Sequence, residues 1–473
     1  MKKMKKALAM LMVLTMVCAM FAACGKKDEK ANKDQTNKEN TKDNSTDVKS
    51  GDNNEKKTDG STGGKTFRIY CWNTEFQDRF NEYYASKIPA GVTVDWVINP
   101  NEDNVYQTKL DEALQKQASA SPEDRIDLFL IEADYALKYV GTDYTLDVVN
   151  DIGLTQDDLS QQYQYTKDVV TVDGALKGVS WQSCPMGFLY RRSMAKAVLG
   201  TDDPDQVQEM LSDWTKFDAV AAKMKDAGNF MLSGYDDDYR VFANNKKLPW
   251  IDDNNKIVVD DEIKQWVSQT KTYTDKGYNN KASLWSAEST AQMAKDGKVF
   301  GYFGPAWFMD FCFMDYTLTD PNQPKEIGNG GYGDWAMCKG PQGSYWGGTW
   351  ICGASGTDNI DIVKDIMLAM TCDKDTLVKI TNKFGDFTNN VAAMTELANS
   401  DFGYPFLGNQ NHIKVLLDSA QDIHISAASP FDQTMTEKLQ LAMKDYFEGV
   451  VTEQQAWDNF YTEVLGKHPE LSK

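Results

Sequence analysis

Histidine is almost missing from this chain, with three in 473 residues. No His-Glu-x-x-His, Cys-x-x-Cys or Gly-x-Ser-x-Gly motif occurs either. Zinc-dependent hydrolysis and serine-elbow esterase chemistry therefore lack their signatures, and no metal or cofactor is expected. Basic residues are also scarce: 50 Lys and Arg face 70 Asp and Glu, for a net charge of −20. The first 24 residues hold four lysines and no acid, and residues 25–64 balance nine Lys against nine Asp and Glu. The body from Lys65 onward thus carries −24. Phosphate neutralisation by Lys and Arg supplies most nucleic-acid affinity, so nucleic acid is excluded as a partner and polyanionic substrates are disfavoured. No apolar run is long enough to span a bilayer. The longest apolar run, Ala7–Ala22, reaches about 24 Å as a helix against a hydrocarbon core of ~30 Å.

That stretch has another meaning. Four lysines at positions 2–6 precede it and small residues follow, the layout of a secretory signal peptide over residues 1–24. Phe21-Ala22-Ala23-Cys24 resembles a bacterial lipobox with Cys24 as the lipidated residue; Cys18 is the poorer candidate because Val17 before it is bulky. Residues 25–64 are Lys, Asp, Asn, Thr, Ser and Gly with almost nothing apolar, and are expected to form a disordered polar tether. Two acyl chains on one Cys meet the requirement for stable anchoring. The expected location is the cell membrane, lipid-anchored and facing outward. Gly60-Ser61-Thr62-Gly63-Gly64-Lys65-Thr66 is one residue short of a P-loop and precedes a strand instead of following one.

From Lys65 strand and helix signals alternate, predicting an α/β fold. Strands are predicted at Thr66–Trp72, Val92–Ile98, Ile126–Ile131, Lys298–Phe303, Asp334–Cys338 and Thr349–Gly353. Helices are predicted at Glu75–Ser86, Tyr106–Gln117, Asn411–Ala420, Asp432–Phe447 and Thr452–Leu465. Asp203-Pro204 and Asp213-Trp214 carry helix-start signals, and Gly228 a stop. No internal repeat or low-complexity linker divides the body, so two lobes would have to share the chain by crossing over more than once. Its six cysteines (71, 184, 312, 338, 352 and 372) suit either disulfides or buried thiols.

Several motifs come in a telling order. They are Phe67-Arg68-Ile69-Tyr70-Cys71-Trp72-Asn73, then Asp127-Leu128-Phe129-Leu130 with Glu132 and Asp134, then Gly178-Val179-Ser180-Trp181-Gln182 before Tyr190-Arg191. Phe303-Gly304-Pro305-Ala306-Trp307 and Gly340-Pro341 with Trp346-Gly347-Gly348-Thr349-Trp350 follow. Together they resemble the extracellular solute-binding proteins of carbohydrate ABC transporters, the broad family that includes maltose-binding protein. The resemblance implies a two-lobe, periplasmic-binding-protein-like (type II) clamshell with crossover hinge strands. It places lobe 1 at residues 65–178 and 338–386 and lobe 2 at 179–337 and 387–473. It further implies a monomeric receptor, not an enzyme, that holds an oligosaccharide or other neutral sugar between the lobes and delivers it to membrane permease subunits.

A sugar ring offers hydroxyls and an apolar C–H face, which carboxylates, amides, Arg forks and aromatic planes satisfy. In open α/β sheets ligand loops follow the carboxyl ends of strands. On that basis the candidate ligand contacts are Asn73, Glu75, Glu132, Asp134, Trp181, Gln182, Trp307, Trp346 and Trp350. Asp237 and Arg240 join them from the polar loop Gly234–Arg240. Plainer roles compete: a helix-start acid for Glu75 or Asp134, core packing for Trp181, Trp346 or Trp350, and a solvated loop for Asp236–Asp238. Asp252-Asp253-Asn254-Asn255 lacks the Gly and distal Glu of an EF-hand and reads as a turn. Tyr83-Tyr84 resembles the tyrosine pair of iron-binding relatives but lies on a predicted helix, where packing is its better reading. The competing functions are a surface glycoside hydrolase using Glu75, Glu132 and Asp134, or the same fold binding a polyamine or metal ion.

Overall fold

The computed structural model describes residues 65–473 except His424 and Ser426. The signal peptide, Cys24 and the tether lie outside the described residues.

Alternation in Thr66–Cys71 (β1) turns Phe67, Ile69 and Cys71 inward and leaves the residues between them partly exposed. β1 pairs in parallel with Thr93–Ile98 (β2) and with Leu128–Glu132 (β3). The helices Glu75–Tyr83 and Val105–Leu114 supply the crossovers that parallel pairing requires. Residues 128–131 of β3 are all buried, as expected of a strand covered on both faces. The short hairpin of Thr171–Val172 (β4) and Ala175–Leu176 (β5) precedes Val179–Ser180 (β6).

The chain then enters a second sheet. Met186–Arg191 (β7), buried throughout, is its centre. Leu232–Gly234 (β8) and Asn279–Ala282 (β9) pair in parallel beside it. Gly301–Pro305 (β10) and Trp335–Cys338 (β11) flank β7 in antiparallel order. β10 begins three residues later than expected because Val299 bridges Phe230 and the Phe300 N–H donates to the Phe230 carbonyl, so this stretch serves another partner first. Thr349–Gly353 (β12) returns to the first sheet, antiparallel to both β3 and β6, completing the order β2-β1-β3-β12-β6. Val179 and Ser180 therefore pair within the first sheet, whereas the expected division at 178 set them in the other lobe. Likewise β11 belongs to the second sheet, although residue 338 was expected to open the return to the first.

Helix starts follow their sequence signals. The Asp203 carboxylate accepts from the Gln206 N–H with Pro204 in the first turn, and Asp213 accepts from the Lys216 N–H. Thr452 and Gln455 form a reciprocal capping box. The last two helices, Asp432–Phe447 and Glu453–Lys467, bury Met435, Leu439, Phe447 and Phe460 against Tyr239, Trp250 and Trp266. All six body cysteines are free thiols. Asp252 closes a turn by accepting from the Asn254 and Lys256 N–H groups. Tyr84 is buried, and its hydroxyl donates to Asp365.

Candidate functional site

Three chain segments pass between the sheets side by side. The middle one runs from Trp181 to Met186. On one side Ser183 N–H donates to the Phe387 carbonyl at 3.2 Å and Asn389 N–H to the Trp181 carbonyl at 2.8 Å. On the other, Met186 N–H donates to the Ser344 carbonyl at 2.8 Å and Trp346 N–H to the Cys184 carbonyl at 3.2 Å. This ribbon sets the floor on which side chains from both lobes meet.

One group assembles at the end of β3. Glu132 accepts from the Asp134 N–H at 2.8 Å, fixing the short turn that presents Asp134. Arg240, from the helix Tyr239–Asn244 of the other lobe, meets Asp134 with both guanidinium ends, each N–O distance being 2.5 Å. The same guanidinium lies 5.4 Å from the Trp346 ring centroid. Burial opposes the Arg240 charge, but Asp134 more than offsets it and holds the pKa above the ordinary arginine value. Burial, reinforced by repulsion from Asp134, pushes the Glu132 carboxyl up to about 8. The shift favours the protonated form, which can donate one hydrogen bond as well as accept.

A second group surrounds Arg79. Its Nε and Nη2 donate to Asp386 Oδ2 at 3.0 and 2.9 Å, and its guanidinium stacks 4.1 Å from the Phe384 ring centroid. Glu75 lies 3.8 Å away, one helical turn earlier, and Asp310 of the other lobe lies 4.0 Å away. Asp310 sits in a π-helical stretch, Phe308–Phe313, a winding frequent at functional sites. Gln182 Nε2 donates to Glu75 Oε1 at 2.6 Å. Burial, only partly countered by Arg79, pushes Glu75 up to about 7. Asp386 is 1 % exposed, and its Oδ1 has no hydrogen-bond partner.

Aromatic rings connect the floor to the rim. Trp307 Nε1 donates to the Trp346 carbonyl at 3.2 Å, and the two rings stand 5.1 Å apart. Trp285 follows, 5.6 Å from Trp346.

The structure thus brings together Glu132, Asp134, Arg240, Trp307 and Trp346, and separately Glu75 and Gln182. Asn73 stands at the start of the helix, its Oδ1 accepting from the Glu75 N–H at 3.0 Å. Three expected contacts are structural instead. Trp181 has no exposed surface and packs 5.0 Å from Phe76, because alternate residues of the crossover face opposite ways and Gln182 takes the side of the Glu75 carboxylate. Trp350 is 3 % exposed and spends its N–H on the Thr166 carbonyl. Asp237 is buried, with Oδ2 accepting from the Ser233 and Gly234 N–H groups, so it ties its own turn. The sequence reading missed Arg79, Asp310 and Asp386. Only Arg79 left a signal, its i,i+4 spacing from Glu75.

Among the described residues no cluster of His, Cys, Asp and Glu is arranged to hold a metal ion, and no helix is long and apolar enough to cross a membrane. By sequence alone no characterised protein matches the chain. Solved structures do. A binding protein associated with an ABC transporter of B. animalis subsp. lactis, in complex with β-1,6-galactobiose, is 16% identical with a TM-score of 0.64, covering 86% of this chain and 99% of its own. The galacto-N-biose/lacto-N-biose I-binding protein of Bifidobacterium longum, in complex with lacto-N-biose, is 14% identical with a TM-score of 0.64, covering 88% and 100%. The sugar-binding protein MalE of Xanthomonas citri is 13% identical with a TM-score of 0.62, covering 85% and 98%. At these identities the likeness is one of fold, the two-lobe α/β architecture of solute-binding proteins. The sequence profile of the bacterial extracellular solute-binding proteins matches residues 78–402, well over half the chain, and this protein belongs to that family.

Proposed function

We propose that the protein is a cell-surface receptor that captures a neutral saccharide between its lobes and hands it to the permease of an ABC transporter. One observation carries this reading. Asp134 and Arg240 meet from opposite lobes beside Trp346 and Trp307, so hydroxyl-binding groups and aromatic planes share one seam. The sugar complexes of the structural relatives support it. Capture needs no covalent step. Ligand contacts to both lobes shift the population toward the closed form. Cys24 carries the lipid anchor, residues 25–64 are the tether, and the receptor acts as a monomer.

Calorimetry and tryptophan fluorescence against mono- and oligosaccharides, with spermidine and ferric ion as controls, test the ligand class. Saccharide binding without release of a shorter product is expected. Binding of spermidine or iron alone, or turnover of an oligosaccharide, would overturn the reading. Cys24→Ser is expected to release the protein into the medium with unchanged affinity. Retention of that variant on membranes in high salt counts against the anchor.

A further inference from the structure

Trp285 is 60% exposed, the only one of the twelve tryptophans with most of its surface in water. An indole left in water forgoes apolar burial, so its placement calls for a reason. It is also firmly mounted. On one side Ser283 Oγ and Leu284 N–H both donate to the Asp236 carboxylate at 2.9 Å, and the Leu284 side chain is buried. On the other side Ser286 caps the helix Ala287–Ala291. A residue pinned before and after has little further backbone freedom to lose on binding, which favours a contact role. Asp236 lies in the short connection that leads into the helix Tyr239–Asn244 carrying Arg240, so the mount of Trp285 and the fork on Asp134 share one framework.

The ring lies at one end of a series. Trp307 is partly exposed and Trp346 is 9% exposed; Trp285 comes next outward, its centroid 5.6 Å from that of Trp346. From the saccharide-receptor reading we infer that Trp285 forms an outer subsite, covering the C–H face of a further sugar unit that projects past Trp346. The preferred ligand is therefore an oligosaccharide, not a single sugar ring. The inference rests on the saccharide reading but adds chain length, which the cleft floor alone does not set.

The test uses the full chain and panels of glucosides, galactosides, mannosides and xylosides, each from one to four units. In the series that binds, wild-type affinity should rise with a second or later unit. Trp285→Ala should remove that gain, a loss of roughly 10–100-fold for the longer members. Affinity for the shortest member that binds should stay within about twofold, and Trp285→Tyr should restore most of the loss. The denaturation midpoint should not move, since the ring is exposed. Equal weakening at every length overturns the outer subsite, as does no weakening at all. Unchanged affinity with reduced uptake in cells also overturns it and assigns the ring to a permease contact. If wild type binds no saccharide in any panel, the receptor reading itself falls and this inference with it.

Discussion

Arg240 reaches across the seam to Asp134 with both ends of its guanidinium, a fork-to-fork pair whose partners come from opposite lobes. Such a pair tolerates little change of distance or angle, so separating the lobes must break it. Arg240→Gln should favour the open form and raise the radius of gyration measured by small-angle scattering. Asp134→Asn should weaken saccharide binding by about 1–3 kcal/mol, as a charged acceptor becomes a neutral one. A double-mutant cycle on ligand affinity should give a coupling of about 0.5–3 kcal/mol. Strict additivity would show that the pair plays no part in closure.

Trp307 and Trp181 should behave in opposite ways. Trp307 is partly exposed at the seam, and its alanine variant should lose roughly 2–4 kcal/mol of saccharide affinity with little change in apoprotein stability. Trp181 is wholly enclosed, and Trp181→Ala should cost about 3–5 kcal/mol of folding stability. Urea denaturation and titration of each variant separate the two roles. A Trp307 variant that unfolds easily yet binds normally would move that ring into the core.

Arg79 holds an excess of buried negative charge. Arg79→Leu leaves Asp386 without its ion partner and should destabilise the fold by about 3–5 kcal/mol. Arg79→Leu combined with Asp386→Leu should regain much of that loss, since neither charge is then stranded. If the double variant is as unstable as the single one, packing on Phe384 outweighs charge at this position.

Stability should depend on pH in two opposed ways. Burial raises Glu75 and Asp238 to about 7 and Glu132 to about 8, against ordinary values of 4.5 for Glu and 3.8 for Asp. The folded chain then binds more protons than the unfolded one between these limits, so this contribution is full at low pH and lost as pH rises toward 8. His412 does the reverse. Burial lowers its pKa from 6.5 to about 4 while Nε2 donates to the Gly385 carbonyl, so its contribution is present above 6.5 and lost as pH falls toward 4. Denaturation curves across pH 4–9 should show Glu132→Gln flattening the alkaline decline and His412→Gln the acidic one. Slopes identical to wild type would mean that these groups titrate alike in both states.

Much of the fold was legible because its signals are local. The alternation of Phe67, Ile69 and Cys71 marks β1, and Asp203 and Asp213 mark two helix starts. The site was legible only where chemistry-bearing residues follow a strand, as Glu132 and Asp134 follow β3. Arg79 and Asp386 lie 307 residues apart, and nothing in either neighbourhood announces the other. Trp181 and Gln182 are adjacent, yet one packs on Phe76 and the other turns to the Glu75 carboxylate. Which of two neighbours faces inward depends on register with Phe387 and Asn389, and that is set by tertiary contact.

The free thiols give this protein a built-in stopwatch. Only a thiolate attacks an alkylating reagent, and burial raises the pKa of all six, Cys71 and Cys338 to about 12. Modification of the four buried thiols, Cys71, Cys184, Cys338 and Cys352, must therefore wait for the chain to part. Cys184 lies on the middle crossover, its Sγ 3.7 Å from Gln182 Oε1, where any separation of the ribbon exposes it before β1 or β11 need unravel. Its labelling rate would time hinge opening, and that of Cys71 would time global unfolding, with no foreign dye attached to either lobe.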